Sequence, residues 1–301
     1  MRDYSSAFES YQRWKGEAEL LTAHHHFSCF GPESCYFLDP LRSSSPTPLR
    51  SSSQTPLRSS STKTPLAKMP ETRTIWLPTV IDRINISQIQ RGGRKIVVIG
   101  IAGPPGCGKS TAALELQRLC EGELGARVFN IGLDGYHLPL SEVRRQDEAA
   151  GNDWENSLEY RRGCIETFAN PDDNLVEKLA AVKEGSSHSV SFPTFDHAKG
   201  DPEENGAKYE LSITGNISEV IIVEGLYLLT PAFGNVADLL DLAFFMDTPL
   251  EVCMERVRER NKCLPGYTVE EINVRVEKVD RVNAEYVIEN SKKTGDALII
   301  V

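Results

Sequence analysis

The feature that most constrains this chain is an apolar run, Ile96-Val97-Val98-Ile99-Gly100-Ile101-Ala102, leading without a break into Gly103-Pro104-Pro105-Gly106-Cys107-Gly108-Lys109-Ser110. A run of this kind, rich in Ile and Val, predicts a strand buried on both faces. The residues after it fit G-x-x-x-x-G-K-[ST] at every fixed position. Glycines there let successive backbone N–H groups turn inward around an anion, the lysine adds a point charge on the β/γ oxygens, and the serine hydroxyl is a hard ligand for Mg²⁺. Helical spacing follows from Ser110 to about Cys120, so the positive end of a helix aims at the same anion. Strand, glycine loop and helix in this order predict a nucleoside triphosphate site. Gly103, Pro104, Pro105, Gly106, Cys107, Gly108, Lys109, Ser110 and Thr111 surround the phosphates, with Ser110 on the metal. Cys107 stands at a free position of the pattern. The nearby helix start and Lys109 can activate a thiol, but a small filler is the favoured reading.

Ahead of this unit, residues 28–70 are rich in Ser, Thr and Pro, with Glu33 and Asp39 as the only acids. Leu-Arg-Ser-Ser-Ser recurs from Leu41, Leu49 and Leu57, a period too short and too polar for a solenoid, so a disordered tail over 1–74 is expected before a folded unit at 75–301. Ser45-Pro46, Thr47-Pro48, Thr55-Pro56 and Thr64-Pro65 in that tail suit proline-directed protein kinases as partners. His24-His25-His26 with Cys29 and Cys35 has the composition of a metal site but no surrounding fold signal, and reads as tail. Residues 1–75 hold 9 basic and 7 acidic side chains, leaving 24 against 36 for the rest. The acidic field of the folded part opposes non-specific nucleic-acid binding. No apolar stretch approaches a membrane span. Seven cysteines without a C-x-x-C pair fit a reducing compartment. Asp3, Glu9, Glu17 and Glu19 are unusual for a transit peptide, so a cytoplasmic location is expected, with an organellar address left open.

From about Thr74, apolar runs at 95–101, 127–133, 219–223, 242–246 and 297–301 alternate with helical spacing at 109–121, 172–184, 248–261 and 268–290. That alternation predicts a parallel sheet covered by helices on both faces. The stretch 186–216 reads instead as an inserted hairpin over the active face, the alternative being a surface loop. Ligands of such sheets collect beyond the carboxyl ends of the strands. Leu133-Asp134-Gly135-Tyr136-His137 follows the second strand run, placing Asp134 where a carboxylate can orient an acceptor hydroxyl and take its proton; a simple turn cap is the alternative. Val220-Ile221-Ile222-Val223-Glu224 ends on a carboxylate that suits a second Mg²⁺ ligand, directly or through water.

The phosphate loop together with Asp134-Gly135-Tyr136-His137, Phe195-Asp196-His197 and Glu224-Gly225 resembles the uridine kinase/phosphoribulokinase/bacterial pantothenate kinase family of P-loop kinases. The segment from Pro193 to Pro202, Arg161-Arg162-Gly163, and Val279-Asp280-Arg281-Val282-Asn283-Ala284 are similar to a bacterial and fungal nucleoside-kinase-like branch of it. The resemblance covers about 94–301. It implies a P-loop NTPase-type α/β three-layer sandwich with a mainly parallel five-stranded sheet, an inserted hairpin and a helical lid. It further implies ATP with Mg²⁺, a nucleoside or sugar-like alcohol as the small-molecule substrate, Asp134 as catalytic base, Lys109 in catalysis, and Ser110 and Glu224 on the metal. The acceptor pocket is expected to draw on His137, Arg161, Arg162, Phe195, Asp196 and His197. The stretch from Ser141 to Tyr160 departs from the family pattern. Arg256 and Arg260, at i and i+4 in the segment read as a lid, suit charge stabilisation over the transferred group; the alternative is a solvated face paired to Glu251, Glu255 and Glu259. Two rivals stand beside the kinase: a non-catalytic ATP-binding regulator, and a plain NTPase.

Overall fold

The run that opens the phosphate loop becomes β1 (Ile96–Ala102), the middle strand of a five-stranded sheet, and every one of its residues is buried. The computed structural model describes Asp82 and residues 96–169, 174–185, 189–197, 199–210, 219–262, 267–291 and 298–300. The tail, its repeats and its proline-directed sites lie outside the described residues. The other strands are β2 (Arg127–Gly132), β5 (Glu219–Gly225), β6 (Leu242–Met246) and β7 (Leu298–Ile300), in the order β2-β5-β1-β6-β7. All four pairings are parallel. Each strand must therefore return through a crossover, and the helices land on both faces.

Alternation along β1 divides the core. Val97, Ile99 and Ile101 face α1 (Lys109–Leu124), whose Ala112, Ala113, Leu116 and Cys120 are buried. Cys253, Met254 and Val257 of α4 (Leu250–Asn261) pack in the same layer. Ile96, Val98 and Ala102 face α3 (Leu175–Glu184) through Leu175, Leu179 and Val182. This is the three-layer sandwich expected from the alternating pattern.

The stretch 186–216 contains the expected hairpin, β3 (Ser189–Asp196) antiparallel to β4 (Asp201–Glu210), with residues 211–218 outside the described set. Its register shifts between Phe192 and Thr194, so Pro193 sits in an irregularity, where the absence of an N–H costs the ladder nothing. The hairpin rests on the turn that carries Asp134. A Cβ at Gly135 would come within 2.7 Å of the Pro193 carbonyl carbon, so glycine is what permits the approach.

Two elements differ from the sequence reading. Helix α2 (Leu140–Ala150) occupies the polar stretch after Pro139, where a single buried residue, Val143, leaves no apolar period to detect. Asp201, from the start of β4, accepts from the Leu140 N–H at 2.7 Å and so caps the helix from outside. The segment read as one helix at 268–290 is interrupted. α5 (Val269–Arg275), started by a Thr268/Glu271 capping box, widens into a π-helical turn, Val276–Arg281, before α6 (Val282–Ser291). Arg275 and Asp280, five apart, pair at 3.1 Å across that turn, a spacing a regular α-helix does not bring together. Among the described residues no helix is long and apolar enough to cross a membrane.

Candidate active site

The register of β5 assembles the site. Glu224 lies opposite Ile101 of β1 on one side and Gly132 of β2 on the other. The ends of three neighbouring strands thus hold the phosphate loop, Glu224 and the Asp134 turn along one edge of the sheet. The loop itself is tightly wound. Gly106 has φ 77°, and a side chain there would drive into the backbone of Cys253 on α4. Lys109 Nζ donates to the carbonyls of Gly103 at 3.0 Å and Pro104 at 3.1 Å, so the ammonium is held over the cradle. Cys107 is fully buried with its Sγ 3.9 Å from that ammonium. Burial pushes the thiol above its usual range more than Lys109 pulls it down, as a filler requires.

Ser110 Oγ donates to Glu224 Oε1 at 2.9 Å. Burial pushes the Glu224 carboxyl above the usual range and the Asp134 charge adds to this, while Lys109 and the Ser110 hydroxyl work against it. A carboxylate that is costly to keep charged, touching a hydroxyl beside a phosphate cradle, fits Mg²⁺. That ion takes oxygen ligands and completes its shell with waters and substrate phosphates. No cluster of three or more His, Cys, Asp or Glu side chains suited to a metal exists among the described residues.

Across Asp134 lies a group of rings. His137 packs on Phe168 with centroids 3.9 Å apart and on Phe195 at 5.3 Å, and Phe195 reaches His197 at 5.2 Å. The Arg162 guanidinium stands 5.8 Å from the Phe195 ring centroid. Burial holds the His137 imidazole below its ordinary pKa and Arg162 and His197 push the same way, against the pull of Asp134. His197 is lowered by partial burial and by Arg260, again against Asp134. The Asp134 charge therefore acts on Glu224 on one side and on both histidines on the other. Its own turn is fixed by its carbonyl, which takes the His137 backbone N–H at 3.1 Å and lies 2.8 Å from Nδ1 of the same ring.

On α4, Arg256 Nη1 donates to the Gly106 carbonyl of the phosphate loop at 3.3 Å, and the Arg260 charge reaches His197. Two glutamates of the solvated-face alternative are engaged elsewhere: Glu251 pairs with Arg281 at 2.7 Å and Glu259 with Lys262. Residues 263–266, which follow this helix, lie outside the described residues.

A model of the phosphoribulokinase/uridine kinase family matches residues 98–301. The chain belongs to the phosphoribulokinase/uridine kinase family. It is 28% identical over 209 residues to a uridine kinase of Shewanella amazonensis, an alignment that covers 68% of this chain and 88% of that one. With a uridine kinase of Escherichia coli it shares 27% over 205 residues, covering 67% and 86%. Its fold is that of D-glycerate 3-kinase from Cryptococcus neoformans, with a TM-score of 0.51 at 15% identity over 74% of this chain and 92% of that one. The protein is a P-loop kinase, a phosphotransferase with an alcohol acceptor, and its family implies ATP as the donor. Membership sets this reading above the non-catalytic regulator and the plain NTPase.

The residues singled out from the kinase sequence do not all converge. His137, Arg162, Phe195 and His197 meet around Asp134. Arg161 instead pairs with Glu166 at 3.1 Å and reaches the Asn156 carbonyl. Asp196 takes the Lys199 N–H at 3.2 Å and its ammonium at 2.8 Å, closing the hairpin turn. Phe168, Arg275 and Asp280 were not picked out as site residues. Phe168 is isolated in a polar stretch without periodicity. The Arg275–Asp280 pair becomes visible only with the π turn, although Asp280 lies within one of the motifs that carry the family resemblance.

Proposed function

We propose that the protein transfers the γ-phosphoryl group of Mg·ATP to a hydroxyl of a nucleoside or sugar-like acceptor lodged among Phe195, His137, His197 and Arg162. The observation that carries this reading is the position of Asp134, whose charge is felt both by Glu224 beside the phosphate loop and by the two imidazoles across from it. A carboxylate so placed accepts the acceptor's hydroxyl proton as that oxygen bonds to the γ-phosphorus and the bond from γ-phosphorus to the bridging oxygen breaks, releasing ADP. Lys109 and the loop N–H groups hold the phosphates, and Arg256 and Arg260 offset charge on the transferred group. Bound at Ser110 and Glu224, Mg²⁺ would neutralise charge on the β and γ oxygens. Phe195 supplies a flat apolar wall for a sugar or base ring. The hairpin that bears it lies over the Asp134 turn and excludes water that would otherwise be phosphorylated.

The test is ADP release from Mg·ATP by the purified protein against nucleosides, sugars and sugar derivatives, with the phosphorylated product identified. Asp134→Asn should lower kcat by roughly 10²–10⁴ while ATP affinity stays nearly unchanged, the usual worth of a general base. Near-full turnover in that variant would remove Asp134 from the mechanism.

A further inference from the structure

π-helical turns are rare and often mark functional sites. In the turn Val276–Arg281 the consequence is a placement: Arg275 Nη1 meets Asp280 Oδ2 at 3.1 Å, five residues on, with both side chains largely buried. The same turn is fastened to α4. Arg258 of α4 pairs with Glu277, and Arg281 holds Glu251 through two bonds of 2.7 and 2.8 Å. Val276 is buried in one cluster with Cys253, Met254 and Val257 of that helix. The element that carries Arg256 and Arg260 is therefore the frame on which the turn sits.

The free end of Arg275 reaches the acceptor side. Nη2 donates to the Arg162 carbonyl at 2.9 Å, and Nε has no hydrogen-bond partner, so the bonds to Asp280 and Arg162 are what orient the guanidinium. The next carbonyl, that of Gly163, accepts from Tyr227 Oη at 3.0 Å, and Tyr227 lies just past the end of β5. Gly163 has φ 105°, a sharp corner that glycine permits. Two consecutive carbonyls of this corner are thus taken by side chains from distant elements, one next to the strand of Glu224 and one tied to α4. From the same corner the Arg162 side chain leaves toward the Phe195 ring. Lys278 adds a bond to Glu155 at 2.7 Å in the same direction, although both partners are exposed and the contact is weak. A pair that served the helix alone would have no use for the second bond of Arg275.

We propose that Arg275 and Asp280 are positioning residues for phosphoryl transfer. Asp280 aims Arg275, and Arg275 fixes the Arg162–Gly163 corner, so that the acceptor wall stands in register with the helix whose arginines face the transferred group. In-line transfer tolerates little error in that spacing. This rests on the acceptor pocket proposed above.

The experiment uses the full chain with saturating Mg·ATP and with uridine, ribose and glycerate each varied as acceptor. Arg275→Met removes both bonds and should lower kcat/KM for the acceptor by roughly tenfold or more. KM for ATP should change less than about twofold, since Arg275 bonds to neither the phosphate loop nor α4. The discriminating variant is the exchange Arg275→Asp with Asp280→Arg. It restores opposite charges across the π turn but leaves the Arg162 carbonyl without its donor. The melting temperature should then recover while kcat/KM for the acceptor stays low. Recovery of both would make the pair a stabilising contact and overturn the inference. Wild-type acceptor kinetics in Arg275→Met, or an equal loss for ATP and acceptor, would overturn it too. Should Arg275→Met not fold, Arg275→Lys carries the same test and should cost several-fold in kcat/KM for the acceptor, because one ammonium replaces two nitrogens that serve different acceptors. Each of these overturning results leaves acceptor turnover, and so the kinase pocket, standing. No turnover of uridine, ribose or glycerate by the wild type removes the pocket reading and this inference together.

Discussion

Gly135→Ala is the most discriminating perturbation of the acceptor side, because it adds one methyl group at the contact between the base-bearing turn and the hairpin. A Cβ there would lie 2.7 Å from the Pro193 carbonyl carbon, 3.0 Å from the Thr194 nitrogen and closer still to the Pro193 oxygen, whereas real Cβ contacts essentially never fall below 3.0 Å. The opposing atoms are backbone, so no side chain can swing aside. The turn is held by the Asp134 carbonyl and by Gly132 in the sheet, which leaves the hairpin as the part that must retreat. Overpacking of this kind costs about 1–3 kcal/mol of stability. Misplacing a substrate-positioning element by on the order of 1 Å costs roughly 10²-fold in rate. We therefore expect kcat/KM for the acceptor to fall about 10- to 100-fold, with KM for ATP changed less than about twofold, because the atoms nearest the added methyl group belong to the hairpin. Steady-state kinetics with each substrate varied in turn, alongside a thermal melt, makes the measurement. Wild-type acceptor kinetics in a variant with an unchanged melt would refute the reasoning, as would a loss shared equally by ATP.

Three further outcomes follow from the same geometry. Glu224→Gln should raise the Mg²⁺ concentration needed for half-maximal activity by roughly tenfold or more; an unshifted Mg²⁺ titration would take Glu224 out of the metal site. Burial holds the folded-state pKa of His137 below its usual 6.5. Below that pH the unfolded chain binds the proton more readily, so stability is complete above about 7 and is lost as pH falls through 6.5 toward the lower folded value. The slope should be at most about 1.4 kcal/mol per pH unit, measured by urea unfolding between pH 7 and 5, and it should diminish in His137→Gln; stability that rises on acidification would contradict this. Finally, deletion of residues 1–73 should leave the melting temperature and turnover of the folded unit intact, since that composition cannot bury a core, and loss of cooperative unfolding would move the boundary.

The sheet was legible because β1, β5 and β6 are short apolar runs, and a buried parallel strand leaves that signature in the sequence without help from its neighbours, whereas β2 carries it more weakly, with Ile131 its one buried residue. The phosphate loop, Asp134 and Glu224 were legible for a related reason, each being tied to the end of such a run. The acceptor side was not. α2 buries only Val143 and owes its cap to Asp201, a residue on another element, so neither periodicity nor a local capping residue marks it. Arg161 and Arg162 are adjacent in sequence and equivalent in composition, yet one pairs with Glu166 and the other turns toward Phe195. That choice is made by tertiary contacts. The π turn likewise brings together a side-chain pair five residues apart, a contact that no residue's helix propensity marks in the sequence.

The insertion of β5 between β1 and β2 also governs how the protein can be made. Ile96 and Arg127 both find their ladder partner at Glu219, so the two earliest strands of the sheet have no bonds to each other and wait for one translated much later. A nascent chain that has emerged only as far as the hairpin holds a complete phosphate loop motif, yet its central strand has neither of its neighbours. Such long-range pairing slows folding and leaves sticky edges uncovered in the interval. Nucleotide binding should therefore arise late and all at once on the ribosome, and truncated products ending before Glu219 should aggregate rather than persist as small ATP-binding fragments.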